Sequence, residues 1–391
     1  MIATFLMSPD HARVRALTTA MLCAALCGCG FGLLMPLASL NLEAMTGSAT
    51  LSGLITAAAA ISNVCAVPLV PVILQKVHPR RALVFSSASI AVVILMFPLM
   101  PNPWIWFVLR LLIGISITLI FISSESWINQ LAEPKKRASL LAIYATVLSL
   151  GIGLGSLLIA ALGWQGWLPW VSAALIYGLG VIPVMILKGP DLIPPSAKET
   201  GLKALWLAAL ASPAAIVAGA VYGAIENAML ALLPIYAERL ALPTLVIGTL
   251  LAVGTLGAIV LQIPVGKLAD RFGRAKGLLW IAVASVILPL IMWISGTRLW
   301  LLYPLCFVYL GLAGGFYTLG LARIGERFSG GAIATANSAF ILAYGVGQLA
   351  GPLSAGAMMD HQGPQGLMWA LSAMALLYFL IVLQRQRTKP H

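Results

Sequence analysis

Three ionisable side chains lie inside long apolar stretches of this sequence, and they are its strongest candidates for chemistry. Glu125 and Glu226 are the two of its eleven acidic residues found there, and Arg110 is the one base. A charge at membrane depth costs at least about 2.5–3.5 kcal/mol, so such a group is a functional candidate by default. A carboxyl held away from bulk water can take up and release a proton within the physiological range. The pattern therefore indicates proton or ion handling in an apolar environment.

The elements that must position these side chains are twelve apolar segments. Hydrophobic residues make up 61% of the chain and charged residues 9%, whereas a soluble domain carries about 25% charged residues. A helix needs about 20 apolar residues to cross a bilayer, and these runs lack the alternation of a membrane barrel. We therefore predict an all-α membrane protein with twelve transmembrane helices. The predicted helices cover residues 16–40, 50–74, 82–100, 103–128, 138–162, 166–187, 204–237, 245–266, 276–296, 299–322, 332–358 and 365–384.

Lysine and arginine residues are concentrated on one side of the predicted bundle. Twelve crossings place both termini on the same side. This side carries 20 of the 23 Lys and Arg residues, and the other three are Arg110, Arg239 and Arg298. By the positive-inside rule this side is cytoplasmic. We expect a multi-pass protein of a bacterial inner membrane with both termini in the cytoplasm. The basic residues form short clusters between apolar runs, so the net charge of +12 does not predict nucleic-acid binding.

The sequence repeats in two halves on either side of a polar, proline-containing segment. Gly151 and Gly155 in predicted helix five recur at the same spacing as Gly347 and Gly351 in predicted helix eleven. Parallel repeats of six helices predict a central cavity with a binding site near the membrane midplane. The predicted domains are an N-terminal bundle over residues 1–187, a cytoplasmic linker over 188–203 and a C-terminal bundle over 204–391.

A charged loop motif lies between predicted helices eight and nine. The stretch Gly266-Lys-Leu-Ala-Asp-Arg-Phe-Gly-Arg-Ala-Lys276 resembles the G-x-L-a-D-r-x-G-r-k loop of the major facilitator superfamily, and the resemblance covers the whole chain. In that family the loop typically lies between helices two and three, where this chain keeps the basic residues but has Lys76 near the Asp position. The motif positions in this chain are Gly266, Asp270, Arg271, Gly273 and Arg274.

Two shorter stretches are similar to the YcaD-like branch of the same superfamily. One is Glu125–Asn129, followed by a basic loop and Tyr144, and the other is Asn337–Pro352. The resemblance implies the major facilitator fold, two pseudo-symmetric six-helix bundles that give alternating access to a cavity lined by helices one, four, seven and ten. Many members of the family couple this transport to protons.

Glu226 lies near the middle of helix seven, one of the helices that the resemblance assigns to the cavity. We expect it either to couple transport to protons or to bind a cationic substrate, and a structural hydrogen bond to a neighbouring helix is the alternative. Tyr222 precedes it by one helical turn. Further polar groups at membrane depth, which either line the cavity or join helices, are Asn227, Asn337, Tyr344 and Gln348.

Arg110 begins the stretch Arg110–Gly114, which is similar to the family's R-x-x-q-G pattern with Ile113 in place of Gln. In relatives such an arginine assists proton movement or holds an anionic group. The alternative is an arginine that snorkels to the periplasmic interface.

Arg323, at the end of predicted helix ten, has two candidate partners. An ion pair with Glu125 would join the two halves as a cytoplasmic gate. An ion pair with Asp270 would remain inside the C-terminal half. Both alternatives place Arg323 at the cytoplasmic side, and the second joins it to the motif loop.

The remaining features favour transport over catalysis. The four histidines lie in loops or termini, and the sequence contains no zinc, phosphate-loop or serine-hydrolase motif. We expect no enzyme activity, no metal and no cofactor, a proton gradient as energy source, and a monomer whose partners are a small-molecule substrate and membrane lipid. The predicted function is proton-coupled export of a small organic solute by antiport. The alternatives are an uncoupled facilitator or a proton-coupled importer of the same fold, and, from another class, a lipid translocase.

Overall fold

The computed structural model describes residues 9–66, 70–132, 137–186, 202–328 and 331–387. This described part of the chain consists of α-helices joined by short connections and contains no β-strand. The helices are α1 (Pro9–Thr46), α2 (Ala49–Ala66), α3 (Val70–Lys76), α4 (Pro79–Leu99), α5 (Pro103–Leu131), α6 (Arg137–Leu162), α7 (Leu168–Leu179), α8 (Val181–Ile186), α9 (Leu202–Ala211), α10 (Pro213–Arg239), α11 (Thr244–Phe272), α12 (Arg274–Ser295), α13 (Leu299–Arg327), α14 (Gly331–Gln362) and α15 (Gly366–Arg387).

Within the described residues, eleven helical stretches are long and apolar enough to cross a membrane. They coincide with eleven of the twelve predicted segments, and α7 and α8 together form one of them, Leu168–Ile186. The remaining segment, predicted over 332–358, lies within α14, a continuous helix of 32 residues. The predicted all-α membrane architecture is therefore confirmed.

Prolines begin several of these helices, and glycines lie at several of their ends. Pro103 follows Asn102, whose side chain accepts hydrogen bonds from the backbone N–H groups of Trp104 and Ile105 at 2.9 and 3.3 Å. A proline at the first helical position loses no intrahelical hydrogen bond. Gly273 joins α11 to α12 with a φ of +96°, a left-handed conformation that glycine adopts without a steric penalty. The motif loop therefore contains a sharp turn between two helices.

The described helices belong to two compact units. The first unit is Met1–Leu37 with Ile61–Lys198, and the second is Ala38–Ala60 with Glu199–His391. The second unit thus includes the end of α1 and most of α2. Most of the predicted linker, residues 188–201, lies outside the described residues. The division into two bundles at this linker stays a prediction.

In the first unit, α1 and α6 approach each other backbone to backbone. A Cβ atom at Gly151 would overlap the carbonyl group of Ala25, and one at Gly155 would overlap that of Cys29. Glycine permits this approach because it has no side chain at the contact.

In the second unit, α10 and α14 pack in the same way at the repeat-related glycines. Cβ atoms at Gly347 and Gly351 would overlap the carbonyl groups of Ala220 and Ala224. The repeat-related glycines therefore permit close helix packing in each unit. In the second unit it brings α14 against the helix that carries Glu226.

Candidate functional site

Glu226 receives a hydrogen bond at each of its carboxylate oxygens. The hydroxyl of Tyr222, one turn earlier on α10, donates to Oε1 at 2.7 Å. The hydroxyl of Tyr344, on α14, donates to Oε2 at 2.6 Å. The Nε2 amide of Gln348 donates in turn to the Tyr344 hydroxyl at 2.9 Å. The structure therefore brings together four of the residues singled out in the sequence.

Three tyrosine rings pack together beside this carboxylate, and we call Tyr222, Tyr317 and Tyr344 the tyrosine cluster. The ring centroid of Tyr222 lies 5.5 Å from that of Tyr317 and 5.8 Å from that of Tyr344. Tyr317 and Tyr344 are 5.8 Å apart with an edge-to-face arrangement, a geometry that aromatic pairs prefer. The cluster therefore surrounds part of the Glu226 site with electron-rich rings.

Small residues on α10 allow Tyr344 to reach Glu226. A Cβ atom at Gly223 would overlap the backbone carbonyl of Tyr344, so α14 can lie this close only where α10 has no side chain. Asn227 holds the same contact, because its Nδ2 donates to the backbone carbonyl of Gln348 at 2.8 Å. Asn227 is buried, and its observed role is to join two helices.

The site lies where α10 changes from buried to partly exposed. Every residue from Asn227 to Ala237 is buried, whereas Glu226 and Tyr222 keep partial exposure, as do Tyr317 and Tyr344. A Cβ atom at Gly314, one turn before Tyr317, would meet open space. Glu226 therefore lies at the edge of the buried part of α10 and is not fully enclosed.

Glu226 has no cationic partner among the residues that the structure describes. Its hydrogen bonds come from two neutral phenols, and the ion pairs found in the described helices do not include it. An uncompensated charge at this depth is costly. Such a carboxylate is a chemically suitable site for a proton or for a cationic group of a ligand.

Arg110 lies in the first unit and is 1% exposed. Its Nη1 donates to the Sδ atom of Met35 at 3.2 Å, whereas Nε and Nη2 have no hydrogen-bond partner within the described structure. The Tyr177 side chain lies within electrostatic range of this guanidinium. Because the guanidinium is fully buried, the snorkelling alternative is wrong.

Glu125 is exposed on α5, and it makes no hydrogen bond or ion pair with another described residue. Tyr144, on α6, is buried close to it. Asn337 is partly exposed on α14, seven residues before Tyr344, which is about 10 Å along the helix axis. Neither residue belongs to the hydrogen-bonded group around Glu226.

The motif loop forms its own ion-pair network in the second unit. Arg274 lies 3.4 Å from Asp270 and 3.1 Å from Glu326, and it donates to the backbone carbonyl of Ala322 at 3.1 Å. Asp270 therefore pairs with Arg274, and the predicted pair of Asp270 with Arg323 is wrong. The physical reason is proximity along the chain, since Asp270 and Arg274 lie on either side of the turn at Gly273 that joins α11 to α12. The pairing of Arg323 with Glu125 stays a prediction.

The other motif residues take local roles. The guanidinium of Arg271 lies 5.4 Å from the ring centroid of Phe272. Gly273 makes the turn described above. A Cβ atom at Gly266 would meet nothing within 4 Å, so its lack of a side chain is not required by packing in this conformation.

A second polar network, which no sequence pattern indicated, lies at the far end of α10. Arg239 donates to Glu43 at 2.7 Å and to Asp360 at 2.9 Å. Asp360 also accepts hydrogen bonds from the backbone N–H groups of Ala49 and Thr50, both at 2.9 Å. We call these residues, together with Ser48, the clasp. The available sign in the sequence was that Arg239 is one of two arginines opposite the basic side, and this position does not indicate a partner.

Hydrogen bonds determine the protonation of Asp360, which lies beyond the apolar part of α14. Partial burial alone would raise the pKa of its carboxyl. Hydrogen bonds from Thr50, Arg239 and Ser48 outweigh burial and hold that pKa well below its ordinary value. Asp360 is therefore ionised at neutral pH and caps the start of α2.

Comparison with known proteins places these features in a family. The profile of the Major Facilitator Superfamily matches residues 20–261 and 240–391. An uncharacterised transporter of this type from Bacillus subtilis, YfkF, is 25% identical over 349 residues, which is 87% of each chain. Another from Escherichia fergusonii, YcaD, is 27% identical over 341 residues and 86% of each chain.

Solved structures share the fold at lower sequence identity. The nucleoside transporter NupG superposes with a TM-score of 0.80 at 13% identity, covering 97% of this chain and 100% of that one. A bacterial homologue of the human lysosomal transporter Spinster, in an inward-facing and unoccupied conformation, gives 0.71 at 16% identity with 96% of each chain covered. The human organic anion transporter MFSD10 gives 0.66 at 18% identity, covering 95% and 99%.

Proposed function

The chain belongs to the Major Facilitator Superfamily, and we propose that this secondary transporter exports a small organic solute in exchange for protons, with Glu226 as the coupling carboxylate. The observation that carries the proposal is the environment of that carboxylate. The carboxylate directly precedes the buried segment Asn227–Ala237 of α10. It accepts hydrogen bonds from two phenols and has no cationic partner among the described residues.

The two phenols give the site two chemically distinct states. The ionised carboxylate can accept one O–H bond at each oxygen from Tyr222 and Tyr344, which lie 2.7 and 2.6 Å away. After protonation one carboxyl oxygen becomes a donor, so Tyr222 or Tyr344 must turn its hydroxyl or accept instead. Proton binding therefore changes both the charge of the site and the hydrogen bonds that join α10 to α14.

The tyrosine cluster supports an organic solute as cargo. Tyrosine rings offer a large apolar contact area and, toward a positive group, an electrostatic attraction of about 0.5–2 kcal/mol. If the solute binds only after the proton has left Glu226, the proton and the solute are mutually exclusive occupants of one site. Protons then move inward and solute outward in alternate steps. That competition is the physical basis of the proposed antiport.

Arg110 has a separate part in the proposal. Its guanidinium is buried, and two of its nitrogens have no hydrogen-bond partner among the described residues. A buried charge of this kind raises the energy of the state that contains it. We assign to Arg110 the transient binding of a proton-carrying water or an anionic group in another conformation of the transport cycle. Glu125 and Arg323 are assigned to the opening and closing of the cytoplasmic side.

The proposed setting is a bacterial inner membrane with both termini in the cytoplasm, where the chain works as a monomer without a metal or a cofactor. The asymmetric distribution of Lys and Arg supports this orientation. Reporter fusions at the C-terminus that are active only in the cytoplasm or only in the periplasm test it. Activity of the periplasmic reporter alone would refute the orientation.

The coupling role is tested in two steps. Thermal-shift screening of the purified protein against metabolites across pH first identifies a solute that stabilises it. Proteoliposomes loaded with that solute are then given an inward proton gradient, and efflux is measured for wild type and Glu226→Gln. We expect the variant to lose gradient-driven efflux and to retain solute exchange at equal pH, because the amide keeps the size of the side chain but cannot take up a proton.

Glu238→Gln is the matched control, since Glu238 lies on the same helix but is exposed at its end, and its variant should retain gradient-driven efflux. Undiminished gradient-driven efflux in Glu226→Gln would refute the coupling role. Wild-type flux that ignores both pH gradient and membrane potential would instead identify an uncoupled facilitator, and gradient-driven accumulation would identify an importer. Flux of fluorescent phospholipid without solute flux would favour the lipid translocase.

A further inference from the structure

The two phenols that hold the Glu226 carboxylate differ in their own hydrogen bonds. The Tyr344 hydroxyl lies 2.6 Å from Oε2 of Glu226 and 2.9 Å from Nε2 of Gln348. The Tyr222 hydroxyl lies 2.7 Å from Oε1 of Glu226, and no hydrogen bond joins it to another residue that the structure describes. The carboxylate therefore has one phenol with a second partner and one phenol without.

The second partner fixes the direction in which the Tyr344 hydroxyl points. A phenol carries one hydrogen, and an ionised carboxylate can only accept. While Glu226 is ionised, the hydrogen between Tyr344 and Oε2 therefore belongs to the phenol. The contact between Tyr344 and Gln348 must then use a hydrogen of Gln348, and the amide nitrogen is the atom found there. Gln348 thus keeps Tyr344 as a donor to Glu226.

The packing of α10 against α14 holds Gln348 in place. The Nδ2 of Asn227 donates to the backbone carbonyl of Gln348 at 2.8 Å. A Cβ atom at Gly223 would overlap the backbone carbonyl of Tyr344, and one at Gly351 would overlap backbone atoms of α10. The two helices therefore touch on both sides of Gln348, and its side chain projects from a fixed backbone.

Tyr222 keeps the freedom that Tyr344 lacks. Its ring packs against the rings of Tyr317 and Tyr344, which fixes the ring but not the direction of the hydroxyl hydrogen. Tyr222 is partly exposed. Its hydroxyl can therefore turn away from Glu226 and accept a hydrogen bond from a protonated carboxyl.

Resting on the proposed coupling role of Glu226, we infer that Gln348 is a positioning residue that directs the coupled proton to Oε1 of that carboxylate. A hydronium ion transfers its proton to Oε1 and leaves as water. The new O–H bond donates to the Tyr222 hydroxyl oxygen, and the hydrogen of that phenol turns away. Tyr344 continues to donate to Oε2, which is now the carbonyl oxygen. Release of the proton to water reverses these steps.

Protonation at Oε2 is the less favourable alternative. The Tyr344 oxygen would then accept hydrogen bonds from both Glu226 and Gln348, while its own hydrogen would lose its acceptor. No other acceptor for that hydrogen lies among the residues described in this structure, and an unsatisfied polar hydrogen away from water costs free energy. The bond between α10 and α14 is therefore kept in both states, and it weakens on protonation because its acceptor loses the charge.

No charged side chain of the described helices packed against α10 lies beside this carboxylate. On α13 the facing group is Tyr317, and Arg323 follows six residues later, about 9 Å along the axis. Residues 244–266 of α11 contain no titratable side chain. On α15, Tyr378 donates to a backbone carbonyl near the start of α10, and α9 ends about 20 Å before Glu226. The hydrogen bonds of the two phenols therefore govern where the proton binds.

Infrared difference spectroscopy of the purified full-length protein, titrated with acid, tests this assignment. The carbonyl stretch of a protonated carboxyl moves to lower wavenumber when its carbonyl oxygen accepts a hydrogen bond. The band that disappears in Glu226→Gln belongs to Glu226. We expect Tyr344→Phe to move this band to higher wavenumber, because Oε2 loses its donor, and Tyr222→Phe to leave it near its wild-type position. The reverse order would place the proton on Oε2 and overturn the inference.

A pair of double variants tests the part assigned to Gln348. When Gln348→Met is added to Tyr222→Phe, Tyr344 becomes free to accept, so the proton should move to Oε2 and the band to higher wavenumber. The matched control adds Gln262→Met to Tyr222→Phe, since Gln262 is an exposed glutamine on α11, and its band should stay where Tyr222→Phe has it. Equal band positions in the two double variants would contradict the positioning role.

The single variant Gln348→Met decides the question if the double variants do not fold. The Gln348 amide polarises the Tyr344 hydroxyl toward the ionised carboxylate, so its loss should raise the midpoint of the Glu226 band by about 0.3–0.5 pH unit. Gln262→Met should leave the midpoint unchanged. An equal midpoint in both single variants, or the absence of any Glu226 band in wild type, would refute the inference.

The spectra and the efflux experiment fail independently. The infrared titration needs no transported solute, so unexpected band positions leave the coupling role of Glu226 to be judged by the efflux of Glu226→Gln. Expected band positions together with undiminished efflux in Glu226→Gln would refute the coupling role alone.

Discussion

The guanidinium of Arg239, at the end of α10, lies 2.9 Å from the carboxylate of Asp360 near the end of α14. The same guanidinium lies 2.7 Å from Glu43, at the end of α1, and donates to the backbone carbonyl of Met359. Since Asp360 also caps α2, one arginine and one aspartate connect the ends of four helices within the second unit. Any conformation in which these ends separate must break charged hydrogen bonds.

Replacement of Asp360 by Asn should therefore destabilise the second unit. The amide keeps the shape of the side chain but loses the negative charge that Arg239 and the N-terminus of α2 favour. We expect the free energy of unfolding to fall by about 1–3 kcal/mol. Thermal unfolding of the detergent-purified protein measures it as a lower Tm. Glu238→Gln, which removes a nearby exposed carboxylate, should leave Tm unchanged, and an equal loss in both variants would contradict a specific clasp.

The contribution of Asp360 should depend on pH in a defined direction. Its pKa is held below the ordinary value in the folded protein, so its stabilising effect is fully present above the unfolded-state pKa of about 4 and is lost as pH falls further. The groups that face it are Arg239, Ser48 and Thr50, with Glu43 on the other side of Arg239.

We therefore expect the Tm difference between wild type and Asp360→Asn to be constant from pH 8 to pH 5. It should shrink only below about pH 4. Tm measurements of both proteins across this range provide the check. A difference that disappears between pH 8 and pH 6 would show that another group controls the clasp.

Tyr344→Phe should change the pH dependence of transport more than its maximal rate. The variant removes one of the two O–H donors to Glu226, and hydrogen bonds to the ionised form favour that form. We expect the midpoint of the pH profile to move upward by about one pH unit. Solute efflux from proteoliposomes, measured in steps of external pH, gives the midpoint.

Tyr309→Phe is a suitable control for that experiment. Tyr309 is buried in the same unit on α13, and its hydroxyl has no hydrogen-bond partner in the described structure. Removal of this hydroxyl should leave the midpoint of the pH profile unchanged. A profile that is identical for wild type, Tyr344→Phe and Tyr309→Phe would mean that the Tyr344 bond does not influence protonation of Glu226.

Arg110→Met should separate stability from activity. In the part of the chain that the structure describes, the buried guanidinium has one weak sulfur contact and two nitrogens without a partner. An apolar side chain of similar length should therefore leave Tm unchanged or raise it. If the charge of Arg110 takes part in the transport cycle, gradient-driven transport should fall at least about tenfold. Normal transport accompanied by a lower Tm would instead indicate a structural role for Arg110.

The candidate site was partly predictable because some of its features are local. Glu226 stood out as a charge within an apolar segment, and Tyr222 lies on the same helix one turn away. Tyr317 was missed because an aromatic residue in an apolar helix has no distinguishing pattern before its neighbours are known. The pair of Asp270 with Arg323 was wrong because Arg274 lies just across the turn at Gly273 from Asp270. The second partner of Arg274, Glu326, comes from another helix.

The sequence by itself determined the membrane-spanning helices and the places of the charges along them. Each helix satisfies its backbone hydrogen bonds within a single segment, so hydropathy and length are enough to locate it. Only the tertiary structure decided which side chains meet, such as Tyr344 with Glu226 or Arg239 with Asp360. These partners are more than a hundred residues apart, and their contact depends on helix packing at residues such as Gly223 and Gly347, which no local pattern of charge or hydropathy specifies.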